Sequence, residues 1–557
     1  MNIKNYIEEK VKKILQQDRE IVIEEPPKEE MGDYSIQCAS YRTEELKTPM
    51  EVASYIKENF ADEKNFFSNI KTIGPYLNFY LNYDILAGYV IHDIENRKDT
   101  YGSYQQGRNQ ALLIEHTSIN PNAEPHIGRC RNSLIGDFMS RLYQFTGYEV
   151  ERHYFINDLG KKIALLIIGV EKYGLVDDDF SSILDIYVKI NQDAKNNPGL
   201  EKQAFDYLEL VESGNEEMIQ KFKSVTDKCV AGQLRIFDEL NISFDVFTHE
   251  SDYVYNNYLE NILDKLRKKG RLHEDELGRY YVDLSGYDIP TREPVLVLTR
   301  SNKTSLYPIK DIAYTMYKMD LNSEHNFIVL GEDQEVYMKQ ISAVLDILGY
   351  KAPHLISYSY VLLDGDKMST SGGTVVLVTD FVKAVMSKLK EDFGKRATDI
   401  SDIDLRKLCN ACIKFSMLNV SRKKIVNFNL ESATSFTGES GMYILYSIVR
   451  INSILRASDI AITSELQFQH DIEFRLLKKL YQFPELVDGL LQSSEPAHLT
   501  KYLFNLTQDF SRFYESVPIM SEEDAILKSS RIRLLYSIKT VVENGLSILG
   551  IDSVDKM

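Results

Sequence analysis

The length, composition and charge of the chain exclude several classes of protein. Its 557 residues exceed what one hydrophobic core usually supports, so about three domains are expected, and 43% hydrophobic residues suffice to bury their cores. A net charge of −18 argues against nonspecific binding of polyanions by the whole surface, although local basic patches could still bind them. The N-terminal segment is charged and amphipathic, and no apolar run approaches the roughly 20 residues that span a bilayer, so we expect a cytoplasmic protein without a membrane segment.

The cysteines indicate a reducing compartment. The chain has 5 of them, too few and too scattered for a disulfide framework. Cys409 and Cys412 form a single CxxC pair, without the second pair or the histidines that a four-ligand structural zinc requires. Their spacing within a helical pattern is typical of small buried apolar residues. We therefore expect no structural zinc and no other metal held by the protein.

The N-terminal region combines helical and extended patterns. Periodicity and alternation predict helices at 3–15 and 49–59 and strands at 20–24 and 76–81. The adjacent Pro26 and Pro27 separate two pieces of this region. Residues 1–107 are therefore predicted to form a separate α+β domain.

Between residues 108 and 390 the pattern changes to strands that alternate with longer helices. The predicted elements are strands at 111–115, 150–155, 294–298, 327–330 and 358–363, and helices at 126–145 and 159–173. Such alternation predicts an α/β domain built on a parallel sheet. Residues 175–290 are helix-rich and polar, and we interpret them partly as an insertion.

No strands are predicted after about residue 390. The helical patterns lie at 405–420, 442–455, 474–481, 499–514 and 529–549. Residues 391–557 are therefore predicted to form an all-α bundle.

The turn that follows the strand at 111–115 carries residues suited to a nucleotide. The strand end places Glu115 and Asn120 at the carboxyl edge of the sheet, where ligands bind in open α/β folds. His126 begins the next helix, where an imidazole and unpaired backbone N–H groups can donate to phosphate oxygens. Gly128 has no side chain, so a nucleotide could pack against the backbone. A His-x-Gly triplet alone also occurs by chance at the start of a structural helix.

A turn-rich segment at 364–373 follows the predicted strand at 358–363. Lys367 supplies a flexible point charge, and the hydroxyl of Ser369 with nearby glycine amides supplies phosphate donors. Together with the turn at His126, this segment predicts a split ATP phosphate site. One half would be fixed, and the other would close over the developing charge.

Two short segments resemble the paired signatures of a known family. His126-Ile127-Gly128-Arg129 is similar to the HIGH motif, and Lys367-Met368-Ser369-Thr370-Ser371 is similar to the KMSKS motif, of class I aminoacyl-tRNA synthetases, whose catalytic domains are of Rossmann type. Further segments narrow the resemblance to the arginyl-tRNA synthetases: 115–120, 307–314, 331–334 and 441–446. The resemblance extends from the N-terminal domain to the last residue.

The resemblance implies a ligase that attaches L-arginine to tRNA(Arg) through an arginyl-adenylate, using Mg²⁺-bound ATP. It assigns catalysis to His126, Gly128, Arg129, Lys367 and Ser369, and ATP binding to His126, Gly128, Lys367, Met368 and Ser369. It assigns arginine binding to Glu115, Asn120, Tyr307, Asp311 and Gln334. A planar guanidinium requires oxygen acceptors, and Asp311 is the expected partner. Asp311 could instead cap a helix that starts at Ile312, or do both.

The chain departs from the family's signatures at two positions. Arg129 stands where the HIGH motif has its second histidine, and Thr370 stands where KMSKS has its second lysine. Some relatives carry a lysine shortly before HIGH, but the corresponding residues here are Ala123 and Glu124. The compensating cation is therefore not identified. Arg129 could clamp phosphate with its guanidinium, or it could simply face solvent.

The resemblance gives the two outer domains to tRNA. It implies that the N-terminal domain contacts the tRNA elbow and that the C-terminal bundle reads the anticodon, whose bases need aromatic platforms. Tyr443, Tyr446 and Met557 are the candidates for the anticodon, although either tyrosine could equally be core packing. The protein is expected to be a monomer. The alternatives are a class I synthetase for another amino acid, a nucleotidyltransferase that does not use tRNA, and a catalytically inactive tRNA-binding relative.

Overall fold

The computed structural model describes residues 2–117, 119–175, 180–255, 258–322, 324–363, 366–367, 376–395, 400–458 and 462–557. Within these ranges the strands are β1 (Tyr34–Gln37), β2 (Phe67–Ile73), β3 (Tyr76–Leu81), β4 (Ala111–Glu115), β5 (Glu149–Ile156), β6 (Val246–His249), β7 (Leu272–Glu274), β8 (Tyr280–Asp283), β9 (Val295–Val297), β10 (Asn326–Gly331), β11 (His354–Tyr358), β12 (Val361–Leu363), β13 (Asp366–Lys367) and β14 (Val426–Phe428).

The α-helices of the described ranges outnumber the strands. They are α1 (Ile3–Leu15), α2 (Pro49–Asn59), α3 (Tyr83–Arg97), α4 (Ile127–Phe145), α5 (Lys161–Tyr173), α6 (Phe180–Asn196), α7 (Pro198–Glu212), α8 (Glu216–Asp238), α9 (Ser251–Tyr255), α10 (Tyr258–Lys268), α11 (Tyr307–Leu321), α12 (Glu335–Leu348), α13 (Val378–Lys395), α14 (Asp402–Leu418), α15 (Leu430–Ala433), α16 (Gly441–Ala457), α17 (Asp471–Ser493), α18 (Pro496–Ser516) and α19 (Ala525–Ile548). Among these helices, none is long and apolar enough to cross a membrane.

The chain divides into two compact units, and neither is continuous in sequence. The first comprises Met1–Gly102, Ser447–Gly489 and Asn505–Asn544. The second comprises Ser103–Tyr446, Leu490–Phe504 and Gly545–Met557. The last four helices therefore contribute residues to both units.

The first unit joins an antiparallel sheet, in the order β1-β3-β2, to helices from both ends of the chain. The N-terminus of α2 is fixed by a capping box, in which Thr48 and Glu51 satisfy each other's backbone N–H groups. The ring of Tyr83 stacks on that of Phe474 with centroids 4.8 Å apart. Arg533 pairs with Glu95 at 2.7 Å. The N-terminal α+β region and the C-terminal helical segments of this unit therefore share one packed interior.

Five parallel strands form the central sheet of the second unit, in the order β11-β10-β4-β5-β6. β4 lies in the middle, pairs with β5 and β10, and is buried from Leu112 to Glu115. Burial on both faces is typical of a strand in an α/β sheet. The predicted parallel sheet is confirmed. The carboxyl ends of β4 and β10 meet at one edge, next to the start of α4.

Helices α6, α7 and α8 pack against α5 beside this sheet. The ring of Phe180 lies directly against Gly232 of α8, and Ile186 and Ile190 lie against Gly169 of α5, so these helices approach closely where glycine leaves room. The strand β6 follows them within the 175–290 segment and is one of the two edge strands of the central sheet. The helices α6, α7 and α8 and the edge strand β6 therefore follow one another directly in the sequence.

Four predictions about strands are wrong. Only Glu24 of the predicted strand at 20–24 pairs, as an isolated bridge to Ser35. The segment at 294–298 yields β9, which pairs antiparallel with β8 in a separate sheet. The segment at 358–363 is divided between β11 and β12. Strands also continue after residue 390, since β14 pairs with β12. Short strands are decided by their long-range partners, which local alternation does not record.

A buried ion pair fixes α4 to α14 within the second unit. The Nζ of Lys414 lies 2.8 Å from Oδ2 of Asp137, and both side chains are buried. Arg141 donates to the same carboxylate at 2.9 Å. Burial lowers the pKa of Lys414, and Asp137 opposes that shift. Because an isolated buried charge is costly, each partner requires the other, and the pair holds the helix that begins at the site.

Candidate active site

His126 is the N-cap of α4. Its Nδ1 accepts a hydrogen bond of 3.3 Å from the backbone N–H of Arg129, which satisfies one of the unpaired donors at the helix start. Burial, with help from the charge of Arg129, lowers the pKa of His126 to about 4. The imidazole is therefore neutral at pH 7, and because Nδ1 accepts, the proton resides on Nε2. His126 thus offers an Nε2–H donor beside the positive end of a helix dipole.

Gly128 gives the imidazole its space. A Cβ at this position would lie 3.2 Å from Nδ1 and 3.4 Å from Cε1 of His126. Any larger residue would therefore press on the ring that caps α4. This close approach is local and connects the two signature residues directly.

A cavity of about 650 Å³ opens at the carboxyl edge of the central sheet. Its lining brings together five of the residues predicted from the sequence: Asn120, His126, Gly128, Arg129 and Gln334. Other lining residues come from the ends of neighbouring elements, including Lys162 of α5, Asp333 after β10 and Tyr358 of β11. Glu115, Tyr307 and Asp311 lie outside the described lining. The cavity is large enough for a nucleotide and has polar groups on several walls.

The second signature segment is only partly described. The backbone of Lys367 belongs to β13 and pairs with Leu362 of β12. The side chain of Lys367 lies outside the described part of the structure. Met368, Ser369 and Thr370 lie outside the described residues. The chain that follows is tied to the start of α4, because Ile127 donates to the carbonyl of Val376 at 3.1 Å.

Two more bonds strengthen this connection. The backbone N–H of Val378 donates to the carbonyl of Pro125 at 2.9 Å. The hydroxyl of Thr379 donates to the carboxylate of Glu124. The fold therefore joins the first signature, at the start of α4, to the residues that follow the second signature, although about 240 residues separate the two signatures in the sequence.

Arg131 is a positioning residue that the sequence did not reveal. It is fully buried in α4, and its guanidinium donates to backbone carbonyls of Ser359, Val420, Ser421 and Lys424 at 2.7 to 3.1 Å. Burial lowers the pKa of Arg131 to about 10, so it remains charged at pH 7. The clamp holds the chain between β11 and β12 against α4, which supports one wall of the cavity.

The end of β4 is held by a strained and buried turn. Thr117 has a φ of 64°, which is costly for a β-branched residue. Its backbone N–H donates to Oδ1 of Asn132 at 2.7 Å, and its hydroxyl donates to Ser133 at 2.6 Å. The ring of buried His116 lies directly against Gly136 of α4. These contacts fix the strand end that leads to Asn120.

Gly136→Ala is expected to destabilise the second unit by about 1–3 kcal/mol, because the added methyl group overlaps the ring of His116. Gly394→Ala is the matched control, since Gly394 lies near the end of α13 with open space around its Cα. We expect the control to leave the unfolding midpoint unchanged or slightly raised, because alanine is a better helix former than glycine. Thermal unfolding followed by circular dichroism tests both, and equal midpoints for the two variants would contradict the packing argument.

A cluster of buried charged groups surrounds the residues that are predicted to bind arginine. Glu115 is buried and pairs with Lys318 of α11, which is fully buried. Asp311 accepts a hydrogen bond from the hydroxyl of Tyr337. The sequence predicted neither partner. Lys318 lies two turns after Asp311 on the buried face of α11. The local sign of its role in the sequence was a lysine at a position where the helical pattern calls for an apolar residue.

The surroundings of Asp311 raise its pKa. Burial is the largest cause, the carboxylates of Glu250 and Glu115 add to it, and the pKa of Asp311 reaches about 7. Glu250 itself lies 2.9 Å from the Nζ of Lys310. An ionised Asp311 is therefore costly until a cation approaches it, which suits a site for a guanidinium.

The alternative role of Asp311 as a helix cap is wrong. Helix α11 begins at Tyr307 with Leu306 as its N-cap, so Asp311 lies one turn inside the helix. Tyr307 is 57% exposed and occupies the first turn, directly above Asp311 in helical spacing. Its hydroxyl lies close to Gly160, which caps α5. The starts of α5 and α11 therefore meet beside the cavity wall that carries Lys162.

The three anticodon candidates lie in α16 and at the chain end. The ring of Tyr443 is half-buried and lies 5.4 Å from that of Phe504. Tyr446 is more exposed, with its ring 6.4 Å from that of Phe436. Met557 is half-buried. Tyr446 thus offers the more accessible ring.

No group of three or more His, Cys, Asp or Glu side chains in the described ranges is arranged to hold a metal ion. Cys409 and Cys412 are both buried, and burial raises the pKa of Cys409 to about 12. Neither thiol would ionise near pH 7.

The parallel sheet, the capped start of α4 and the cavity are features of an open α/β ligand-binding domain, and comparison with known families identifies this domain as that of a class I aminoacyl-tRNA synthetase. The family model described as "tRNA synthetases class I (R), catalytic domain" matches residues 91–431. The model "Arginyl tRNA synthetase N terminal domain" matches residues 1–81, and "DALR anticodon binding domain" matches residues 444–557.

The relatives agree over the full length. An arginine–tRNA ligase of Methanosphaera stadtmanae is 32% identical, covering 100% of this chain and 99% of that protein. One of Methanocaldococcus jannaschii is 31% identical with the same coverage of 100% and 99%. The solved arginyl-tRNA synthetase of Thermus thermophilus shares the fold with a TM-score of 0.84 at 24% identity, covering 100% of both chains. The chain belongs to the arginyl-tRNA synthetases, which confirms the resemblance and the predicted fold class.

Proposed function

We propose that the chain attaches L-arginine to tRNA(Arg) through an arginyl-adenylate, with Mg²⁺-bound ATP as the second substrate. The observation that carries this proposal is the cavity at the carboxyl edge of the sheet, where His126, Gly128, Asn120 and Gln334 converge. Membership of the arginyl-tRNA synthetases supports the choice of arginine over another amino acid. It also weighs against a nucleotidyltransferase without tRNA.

In the first step, a carboxylate oxygen of arginine attacks the α-phosphorus of ATP. The new P–O bond forms as the bond to the bridging oxygen of the β-phosphate breaks, and pyrophosphate leaves with the electron pair. His126 donates from Nε2–H to phosphate oxygens, together with backbone N–H groups of the first turn of α4. By the family resemblance, Lys367, Met368 and Ser369 of the second signature segment supply further groups that bind the phosphates. Positioning and charge stabilisation supply the catalysis, so no protein nucleophile is needed.

The guanidinium of arginine would be held by oxygen acceptors. Asp311 pairs with it, oriented by the hydroxyl of Tyr337. Glu115 contributes a second carboxylate whose direction is fixed by Lys318. Asn120 and Gln334 position the amino-acid end, and the ring of Tyr307 covers the side chain. Carboxylates already held by a hydrogen bond or an ion pair lose little rotamer freedom when the substrate binds, which favours a specific pocket.

In the second step, the terminal adenosine of tRNA accepts the arginyl group on its 2′-OH. We assign the elbow of the tRNA to the N-terminal domain, residues 1–107, and the anticodon to the C-terminal domain, residues 391–557, with residues 108–390 as the catalytic domain. Tyr443, Tyr446 and Met557 are the proposed anticodon contacts, and the exposed ring of Tyr446 is the best placed for stacking. We further propose a cytoplasmic monomer.

Exchange between pyrophosphate and ATP tests the first step. We expect arginine to support exchange when tRNA is present and to support it only weakly when tRNA is absent, as the family resemblance implies. The measurement is the rate of labelled pyrophosphate incorporation with and without total tRNA. Equal rates would refute the requirement for tRNA, and exchange driven by a different amino acid would refute the function.

The affinity for arginine is expected to depend on pH near neutrality. The pKa of Asp311 is raised to about 7, so the carboxyl is largely protonated below this pH and cannot pair with a guanidinium. The KM for arginine should therefore rise as the pH falls below about 7, approaching tenfold per pH unit, and should level off above pH 8. Steady-state kinetics from pH 5.5 to 8.5 test this, and a flat profile would contradict the role of Asp311.

A further inference from the structure

By the family resemblance, the sequence lacks one lysine that the KMSKS motif usually supplies to the phosphate site. Thr370 replaces the second lysine of the KMSKS motif, and the residues before His126 offer no lysine. Glu124 is acidic and accepts a hydrogen bond from Thr379. The reaction brings a carboxylate against a triphosphate, so uncompensated negative charge raises the barrier.

Two cationic side chains stand in the described lining of the cavity, Arg129 and Lys162. Arg129 lies in the first turn of α4, where its charge already acts on His126 and lowers the pKa of that imidazole. Lys162 comes from a different element, the first turn of α5. The same lining carries the carboxylates of Glu124 and Asp333, so its cations are not in excess.

The start of α5 suits a cation that meets anionic reactants. Gly160 caps the helix without a side-chain bond, and its carbonyl accepts from Ile163 and Ala164 at 3.0 Å. The backbone N–H groups of Lys161 and Lys162 precede the intrahelical ladder, so they add partial positive charge to the same corner. A Cβ at Gly160 would lie 3.7 Å from the hydroxyl of Tyr307, so this corner adjoins one of the predicted arginine-binding residues.

We propose that Lys162 is a catalytic residue of the adenylation step. Its ammonium contacts oxygens of the reacting phosphate and stabilises the charge that gathers there as the carboxylate of arginine attacks and pyrophosphate leaves. It thereby supplies a cation that Thr370 cannot supply. This assignment rests on the proposed function, because it presupposes that arginine and ATP meet in this cavity.

The neighbouring lysine provides a matched control. Lys161 lies one position earlier on α5, outside the described lining, and pairs with Glu201 at 2.6 Å. Lys161→Gln therefore removes a charge from the same helix turn without removing one from the cavity. Surface ion pairs of this kind contribute little, so the control should retain its activity.

The experiment is pyrophosphate exchange with arginine, ATP and total tRNA on the full chain. We expect Lys162→Gln to lower kcat by at least about tenfold, with a smaller change in the KM for ATP and an unchanged unfolding midpoint. Lys162→Arg should restore most of the rate, and Lys161→Gln should stay within about twofold of the parent chain. A Lys162→Gln rate equal to that of Lys161→Gln would overturn the assignment while leaving the proposed function intact. A parent chain that exchanges pyrophosphate with no amino acid would overturn both.

Discussion

Asp311→Asn is expected to lower kcat/KM for arginine by about 100- to 1000-fold, equivalent to roughly 3–4 kcal/mol of lost binding to the guanidinium. The substitution preserves size and still accepts a hydrogen bond from Tyr337, so it removes little besides the charge. The loss is large because Asp311 is only partly exposed and lies among buried charged groups, where a charge pair is screened weakly. Most of the effect should appear in the KM for arginine.

The control for this substitution lies on the same helix. Asp320 is exposed near the end of α11, and Asp320→Asn should change arginine kinetics by less than about twofold. The KM for ATP should be unchanged in both variants. Steady-state exchange kinetics at pH 8 distinguish them, and an Asp311→Asn chain with normal arginine kinetics would refute the proposed pocket.

His126→Asn is expected to lower kcat for adenylate formation by about 100- to 1000-fold, the usual cost of removing one preorganised donor to a developing charge. Asparagine is a good N-cap, so the variant keeps the start of α4 intact while it removes the Nε2–H donor. The unfolding midpoint should therefore remain within about 1 °C of the parent value, and the KM for ATP should change much less than kcat.

A second variant separates the roles of the ring and the cap. His126→Ala removes both, and we expect a similar loss of rate together with a destabilisation of about 1 kcal/mol. Rapid-quench measurement of adenylate with labelled ATP gives the rate directly. A His126→Asn chain that retains more than half of the parent rate would show that the imidazole only caps the helix.

The residues that are easiest to single out from the sequence are those with local structural requirements. His126 and Gly128 are linked by the space that the imidazole needs above the glycine, so their spacing is visible in three consecutive residues. The central strand β4 is buried along most of its length, and its apolar run records that burial. Contacts between residues that are close in the sequence can therefore be predicted from a short sequence pattern.

The residues that the sequence did not reveal depend on distant contacts. Lys318 pairs with Glu115 across about 200 residues, and Arg131 donates to carbonyls of a loop nearly 300 residues away. The strand β14 exists because it pairs with β12, not because of its own three residues. Such contacts are set by topology, and a single sequence contains no record of which distant groups meet.

The second signature segment also separates what the sequence shows from what only the fold shows. Its letters, Lys367 to Ser371, are recognisable in the sequence. What the fold adds is the attachment of the following residues to the start of α4, through Ile127 and Val376 and through Glu124 and Thr379.

The central claim is that this chain charges tRNA with arginine. The most direct measurement is aminoacylation of total tRNA with MgATP and each of the twenty amino acids supplied separately as a labelled compound. We predict acid-precipitable, alkali-labile label on tRNA with arginine alone, and its loss in the Asp311→Asn chain. Charging with any other amino acid, or with none of them, would contradict the account.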